Sequence, residues 1–207
     1  MEDKNQHLDT LSEIRSMMEK STKFISLSGL SGIFAGIFAL IGAFIAEEFL
    51  ASTMHGESYL MNGKVNMNFY GFFFLNASFV LISSIAFGSF FTIRKAKKNN
   101  QKIWDATSKR LLINLMLPLG TGGIFCLILF YHGVIGLVAP ATLIFYGLAL
   151  INASKYTLND IRYLGICEII LGLLAAIFVS NGLIFWALGF GVLHIVYGFV
   201  MYFKYEK

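Results

Sequence analysis

The sequence predicts an all-α integral membrane protein: a six-helix transmembrane bundle of three hairpins, preceded by a short N-terminal amphipathic cytoplasmic helix. Three observations carry this prediction. Six apolar stretches each run about 17 to 25 residues, the length that crosses roughly 30 Å of hydrocarbon at about 1.5 Å per residue. Hydrophobic residues make up 57 % of the 207-residue chain, and mean hydropathy is +0.70. The basic residues, finally, are distributed to one side of the membrane almost without exception. Lipid offers no partner to a backbone N–H or C=O, so each stretch is expected to close its hydrogen bonds within itself as a helix.

The stretches are Phe24 to Ala46, Phe69 to Ile93, Leu111 to Tyr131, Val134 to Asn152, Tyr163 to Val179 and Leu183 to Phe203. If the first leaves the cytoplasm, 15 of the 16 Lys and Arg residues are cytoplasmic and only Lys64 lies outside. This contrast sets orientation by the positive-inside rule and predicts both termini in the cytoplasm. The basic run Arg94 to Arg110 is read as topological, so no nucleic-acid partner is expected. The bundle consumes nearly the whole chain, which divides into a cytoplasmic segment (1–23), one membrane domain (24–203) and a cytoplasmic tail (204–207). The first apolar run exceeds a signal-peptide core and is read as a permanent span.

Ahead of it, Leu8, Leu11, Ile14 and Met18 recur at three- and four-residue intervals, the spacing of an amphipathic helix suited to a membrane surface, the bundle or a partner. Within the first span, Ser28, Gly32 and Gly36 form one row of small residues, and Ser31, Ala35, Ala39 and Ala43 form a row beside it. Such a flattened face admits another helix closely. It serves packing within the chain, or a homo-oligomer or membrane partner through this span. The lipid bilayer is the one partner that composition requires.

The segment from Glu47 to Asn68 is expected to be the sizeable external loop, with a short hairpin in which Asn62-Gly63 turns between Leu60-Met61 and Lys64-Val65. Glu47, Glu48, His55 and Glu57 show no diagnostic ligand spacing, so no metal or cofactor is assigned. Cys126 and Cys167 belong to opposite depths and read as buried apolar groups. The last four spans resemble a duplicated hairpin: His132-Gly133, Tyr146-Gly147 and Lys155-Tyr156 return about fifty residues later as Asn181-Gly182, Tyr197-Gly198 and Lys204-Tyr205.

Glu168 is the most costly residue in an apolar setting, and intramembrane ionisable groups face the interior and seek a partner. Glu168 and His194 each stand thirteen residues from the reversal at Asn181, so an antiparallel hairpin brings them to one height. They are the candidate buried polar pair. Asn114 and Asn152 are matched by the same construction about the turn near His132. Asn76, Tyr146 and Tyr197 are further candidates for a supporting polar track.

No nucleophile elbow, zinc helix or phosphate-cradling loop occurs, which argues against an enzyme. What remains is transport of a small solute, ion or proton, or sensing of a membrane ligand; the alternative is a non-enzymatic adaptor or scaffold subunit. The stretches Leu27-Ser-Gly-Leu-Ser-Gly32-Ile-Phe-Ala-Gly36, Arg162-Tyr-Leu-Gly-Ile-Cys-Glu168 and His194-Ile-Val-Tyr-Gly198 resemble those of a family of small six-span bacterial inner-membrane proteins. The resemblance covers most of the chain. It implies the architecture and a bacterial inner-membrane location, and brings no activity with it.

Overall fold

The computed structural model describes residues 27–54, 60–61, 64–65, 67–99 and 103–207. The predicted amphipathic helix around Leu8 to Met18 lies outside them. Helix α1 spans Gly29–Met54, α2 Met67–Lys98, α3 Ala106–Tyr131, α4 Val138–Ala153 and α5 Asp160–Ile177. The last helix is continuous in three parts: α6 (Gly182–Trp186), a π-helical segment (Ala187–Leu193) and α7 (His194–Tyr205).

Five of these helices are long and apolar enough to cross a membrane, the last being the whole run Val179–Tyr205. Helix α5 differs in composition, since its 18 residues include Asp160, Arg162 and Glu168. One boundary requires correction: α1 runs through Glu47 and Glu48 to Met54, well beyond the expected span end at Ala46. A helix already closing its own hydrogen bonds loses little by continuing past the apolar run. The connection is correspondingly shorter, and within it Leu60 pairs with Val65 and Met61 with Lys64 in a two-residue antiparallel ladder.

Glycine contacts decide which helices touch. Helix α4 lies against α5 and α3, while α1 lies against α2 and the last helix. At the α4–α5 seam, a Cβ placed on Gly147 would stand 2.5 Å from the Gly165 carbonyl oxygen and 3.0 Å from the Ile169 nitrogen. At the seam of α1 with the last helix, one placed on Gly198 would stand 2.7 Å from the Gly29 oxygen and 2.6 Å from the Ile33 nitrogen. Gly172 meets Ile144 as Gly36 meets Ile195. The two seams are thus built alike, and the residues of α4 recur 51 positions later in the last helix. Only hydrogen-for-methyl economy allows backbones this close, and the return is dispersion along the whole contact.

The first-span row is therefore used inside the chain. Gly32 faces Gly198 and the His194 carbonyl, Gly36 faces Gly191, Ala39 is buried and Ala35 half-buried. A partner engaging through this span has to use another face. Ser28 donates to Glu206 at 3.3 Å, and the Gly29 N–H donates to the same carboxylate, which Lys95 also approaches at 3.4 Å. The acidic group sits at the N-terminus of α1, where unpaired N–H groups and the helix dipole favour it.

Helices α2 and α3 follow each other in sequence yet make few contacts. They approach through Tyr70 and Phe130, whose rings meet edge to face at 6.0 Å. Away from that point the flank between them is open.

Candidate functional site

Glu168 projects from α5 into the interior and is 0 % exposed; His194, at the start of α7, is 6 % exposed. Their closest atoms, Glu168 Oε1 and His194 Nδ1, stand 3.4 Å apart. That separation satisfies an ion-pair distance, yet neither carboxyl oxygen has a hydrogen-bond partner among the described residues. The histidine is bonded elsewhere. Nδ1 lies 3.0 Å from the Gly189 carbonyl, which can only accept, so Nδ1 carries a hydrogen. Nε2 meets the Tyr146 hydroxyl at 2.8 Å, and in the neutral ring it accepts from that hydroxyl.

The geometry has a local cause. The last helix widens into a π segment over seven residues immediately before His194, a distortion frequent at functional sites. The Gly189 carbonyl is five residues before His194 and takes its ring N–H. Gly189 also makes room for the acid, since a Cβ there would come 2.5 Å from Glu168 Oε2. Phe190 stacks on His194 at 5.9 Å and lies 4.9 Å from Tyr146, while Trp186 lies 5.0 Å from Phe190. An orphaned carboxyl so enclosed is costly, and a neighbouring imidazole already committed to two other partners offsets little of that cost.

The other sequence candidates divide between several places. Tyr146 joins the cluster. Tyr197 packs on a core of Leu150, Leu158, Ile161, Leu164 and Met201. Asn152 donates to the Asn114 backbone carbonyl at 3.0 Å, tying α4 to α3, while the Asn114 side chain turns back to Arg110 O at 2.8 Å. The two amides are close without bonding side chain to side chain. Asn76 donates to Gly42 O at 3.0 Å, tying α2 to α1, and faces a cavity instead of the polar cluster. Gly32 and Gly36 lie at the seam of α1 with the last helix, Ser28 bonds Glu206, Ala39 is buried and Ala35 half-buried. Both cysteines are free, and the described residues hold no group of three or more His, Cys, Asp or Glu fit for a metal ion.

The cavity was not legible in the sequence. It holds about 710 Å³ and is enclosed by α1, α2, α3, the start of α4 and the turn into α6, within the roughly 300–1,000 Å³ of small-molecule sites. Its walls are almost wholly apolar, with Phe69, Phe73, Phe130 and Trp186 among them, and Asn76, Thr142 and Ser180 as scattered polar points. Its exposed lining residues are on the flank, Gly71, Phe74 and Ala77 of α2 and Leu127 of α3, and at the turns that close one end, Gly136, Val179 and Ser180. Glu168, His194 and Tyr146 are not in its lining, and Trp186 with Phe190 stands between the cavity and the cluster. The fold therefore contains two distinct features, a sealed polar cluster and an apolar chamber facing the flank. In comparison with known proteins, no family model, no curated protein and no solved structure matches the chain.

Proposed function

We propose that the chain is a six-span protein of the bacterial cytoplasmic membrane, with both termini inside, that senses or carries a membrane-soluble ligand held in the α1–α4 cavity. The observation that carries this reading is the exposure of the cavity lining on the flank between α2 and α3, at a level where the surrounding helices are apolar on every side. A ligand entering there comes from the bilayer and never has to cross a charged surface. Helix α5 counts as the sixth span because it runs the length of α4, with Gly165 against Gly147 and Gly172 against Ile144, and because Asp160 and Arg162 fall at its first turn. Ligand sensing is favoured over proton transport, since Glu168 lies behind the Trp186–Phe190 layer and outside the cavity. An adaptor role through the small-residue row of α1 loses its surface to the last helix.

The test uses the two tryptophans of the chain. Trp104 is remote from the cavity, so a Trp104→Phe protein reports from Trp186 alone. In vesicles of phospholipid brominated along the acyl chains, Trp186 fluorescence is expected to be strongly quenched, and Ala77→Phe, which adds a ring at the mouth, should reduce the quenching. Quenching left unchanged by Ala77→Phe would mean that Trp186 meets lipid by another route and that the cavity admits none.

A further inference from the structure

We infer that α2 and α3 form a third helix seam, held open in this structure, and that its closing covers the flank side of the cavity. This rests on the cavity reading above and adds the device that admits or excludes the ligand.

The long helices follow one another round a ring: α2 on α1, α1 on the last helix, the last helix on α5, α5 on α4 and α4 on α3. Hairpin partners alternate with seams, and among the described residues the ring lacks a seam between α2 and α3. The two closed seams match one set of residues to another. One helix brings Ile144, Tyr146 and Gly147 in α4, or Ile195, Tyr197 and Gly198 in the last helix. Its mate brings Gly165, Ile169 and Gly172 in α5, or Gly29, Ile33 and Gly36 in α1. Helix α2 repeats the first set as Ile85, Phe87 and Gly88, and α3 the second as Ile113, Leu117 and Gly120. Here these residues are unmatched. A Cβ on Gly88 would meet only Ser31, at 3.9 Å, one on Gly120 would meet nothing within 4 Å, and Ile85, Ile113 and Leu117 are exposed.

One position accounts for the difference. Where α5 and α1 have Gly165 and Gly29, α3 has Ile113. A Cβ on Gly165 would stand 2.7 Å from the Gly147 oxygen, and one on Gly29 closer still to the Gly198 oxygen. The Ile113 side chain therefore meets the Gly88 carbonyl before the backbones of α2 and α3 come as close, and overpacking of this kind weakens the seam without abolishing it. Pro118, between Leu117 and Gly120, has no N–H for the Asn114 carbonyl, which accepts from Asn152 instead, so α3 can bend at this level. Each helix is the other's nearest mate: α2 ends at Lys98, α3 begins at Ala106, and at their far ends Tyr70 and Phe130 already touch. Counting antiparallel from Ile85 against Gly120 brings Ala77 against Ile128. Ala77 and the neighbouring Leu127 are exposed cavity-lining residues of the flank, so closing the seam covers it there.

A disulfide traps the closed seam. In the α4–α5 seam a Cβ on Gly172 would stand 3.0 Å from the Leu143 Cβ, and the corresponding positions of α3 and α2 are Gly120 and Ser84, which closure brings within disulfide reach. Ser84→Cys/Gly120→Cys is made in a full-length Trp104→Phe chain lacking Cys126 and Cys167, placed in brominated phospholipid vesicles and oxidised with copper phenanthroline. An in-chain disulfide is expected at least about tenfold faster than in Ser84→Cys/Thr121→Cys, whose second thiol is turned about 100° round α3. Adding Ile113→Gly should speed it a further fivefold or more, to order of magnitude, and Ile113→Ala by less, as relief of overpacking requires. Trp186 quenching should fall on oxidation and return on reduction.

No in-chain disulfide, or one formed equally fast by the Thr121 pair, overturns the seam. A disulfide between chains overturns closure within the chain and makes the flank an interface between copies. Rates unchanged by both Ile113 variants overturn the role given to that side chain. Quenching that the in-chain disulfide leaves unchanged, while Ala77→Phe lowers it, overturns the cover over the cavity. Quenching changed by neither overturns the cavity reading and leaves the seam standing.

Discussion

Replacing Gly198 with alanine adds one methyl group, and the structure states where it would go. It would lie 2.6 Å from the Ile33 backbone nitrogen and 2.7 Å from the Gly29 carbonyl oxygen. These are backbone atoms of α1 and cannot rotate away, so relief requires α1 and α7 to move apart, thinning contacts along both helices. With two backbone atoms in the way, such overpacking falls in the upper part of its usual range, about 2–3 kcal/mol, while alanine recovers about 1 kcal/mol of helix propensity, for a net loss of about 1–2 kcal/mol. For a chain of this size that is a fall in Tm of about 2–8 °C. Gly120→Ala is the matched control: the same methyl on α3 meets nothing within 4 Å and should leave Tm equal or raise it by about 1–3 °C. Thermal unfolding in detergent, followed by circular dichroism, gives both numbers. Gly147→Ala should behave like Gly198→Ala if the two seams are equivalent. A Gly198→Ala protein as stable as its parent, or a Gly120→Ala protein equally damaged, would refute the claim that backbone proximity at the seams holds the bundle together.

Three other predictions concern the polar cluster, a helix cap and orientation. Glu168→Gln and His194→Gln, 3.4 Å apart in the parent, should be non-additive in unfolding free energy by at least about 0.5 kcal/mol, whereas additivity within about 0.3 kcal/mol would separate them. Asp105 caps α3, accepting from the Ser108 N–H at 2.7 Å and the Ser108 hydroxyl at 2.8 Å; the N–H bond first and the hydroxyl second hold its carboxyl below the ordinary value of 3.8. Its contribution is therefore present above about pH 4 and lost as pH falls through the lowered folded value, so Asp105→Ala should cost about 1 kcal/mol at pH 7, and Asp105→Asn should flatten the acid limb of a stability–pH curve. For orientation, Ser52→Cys and Lys155→Cys, both exposed positions, are placed singly in a chain lacking Cys126 and Cys167. In intact cells an impermeant thiol reagent should label Ser52→Cys alone, and labelling of Lys155→Cys instead would invert the proposed topology.

Sequence by itself determined the helical class and the places where long apolar helices run, because the cost of an unpaired peptide group in lipid admits few structures and because hydropathy is a local property. It also supplied the height of Glu168 and His194 by counting from the Asn181 turn. It did not determine their partners. The Gly189 carbonyl and the Tyr146 hydroxyl take the two imidazole nitrogens, and the Glu168 oxygens remain without a donor. That outcome depends on helix rotation and on the π segment before His194, which hydropathy does not encode. The repeat of Tyr-Gly was legible as spacing, but only the packed structure paired Gly147 with α5 and Gly198 with α1. The cavity lay furthest from sequence reading, because Ala46, Ala77, Phe130 and Trp186 come from four different helices and enclose one space only once the seams around them have closed. The same is true of α2 and α3, whose apolar composition fits equally a tight pair or the open flank they form. Which of these occurs is decided by where a side chain is absent, and so by contacts between residues far apart along the chain.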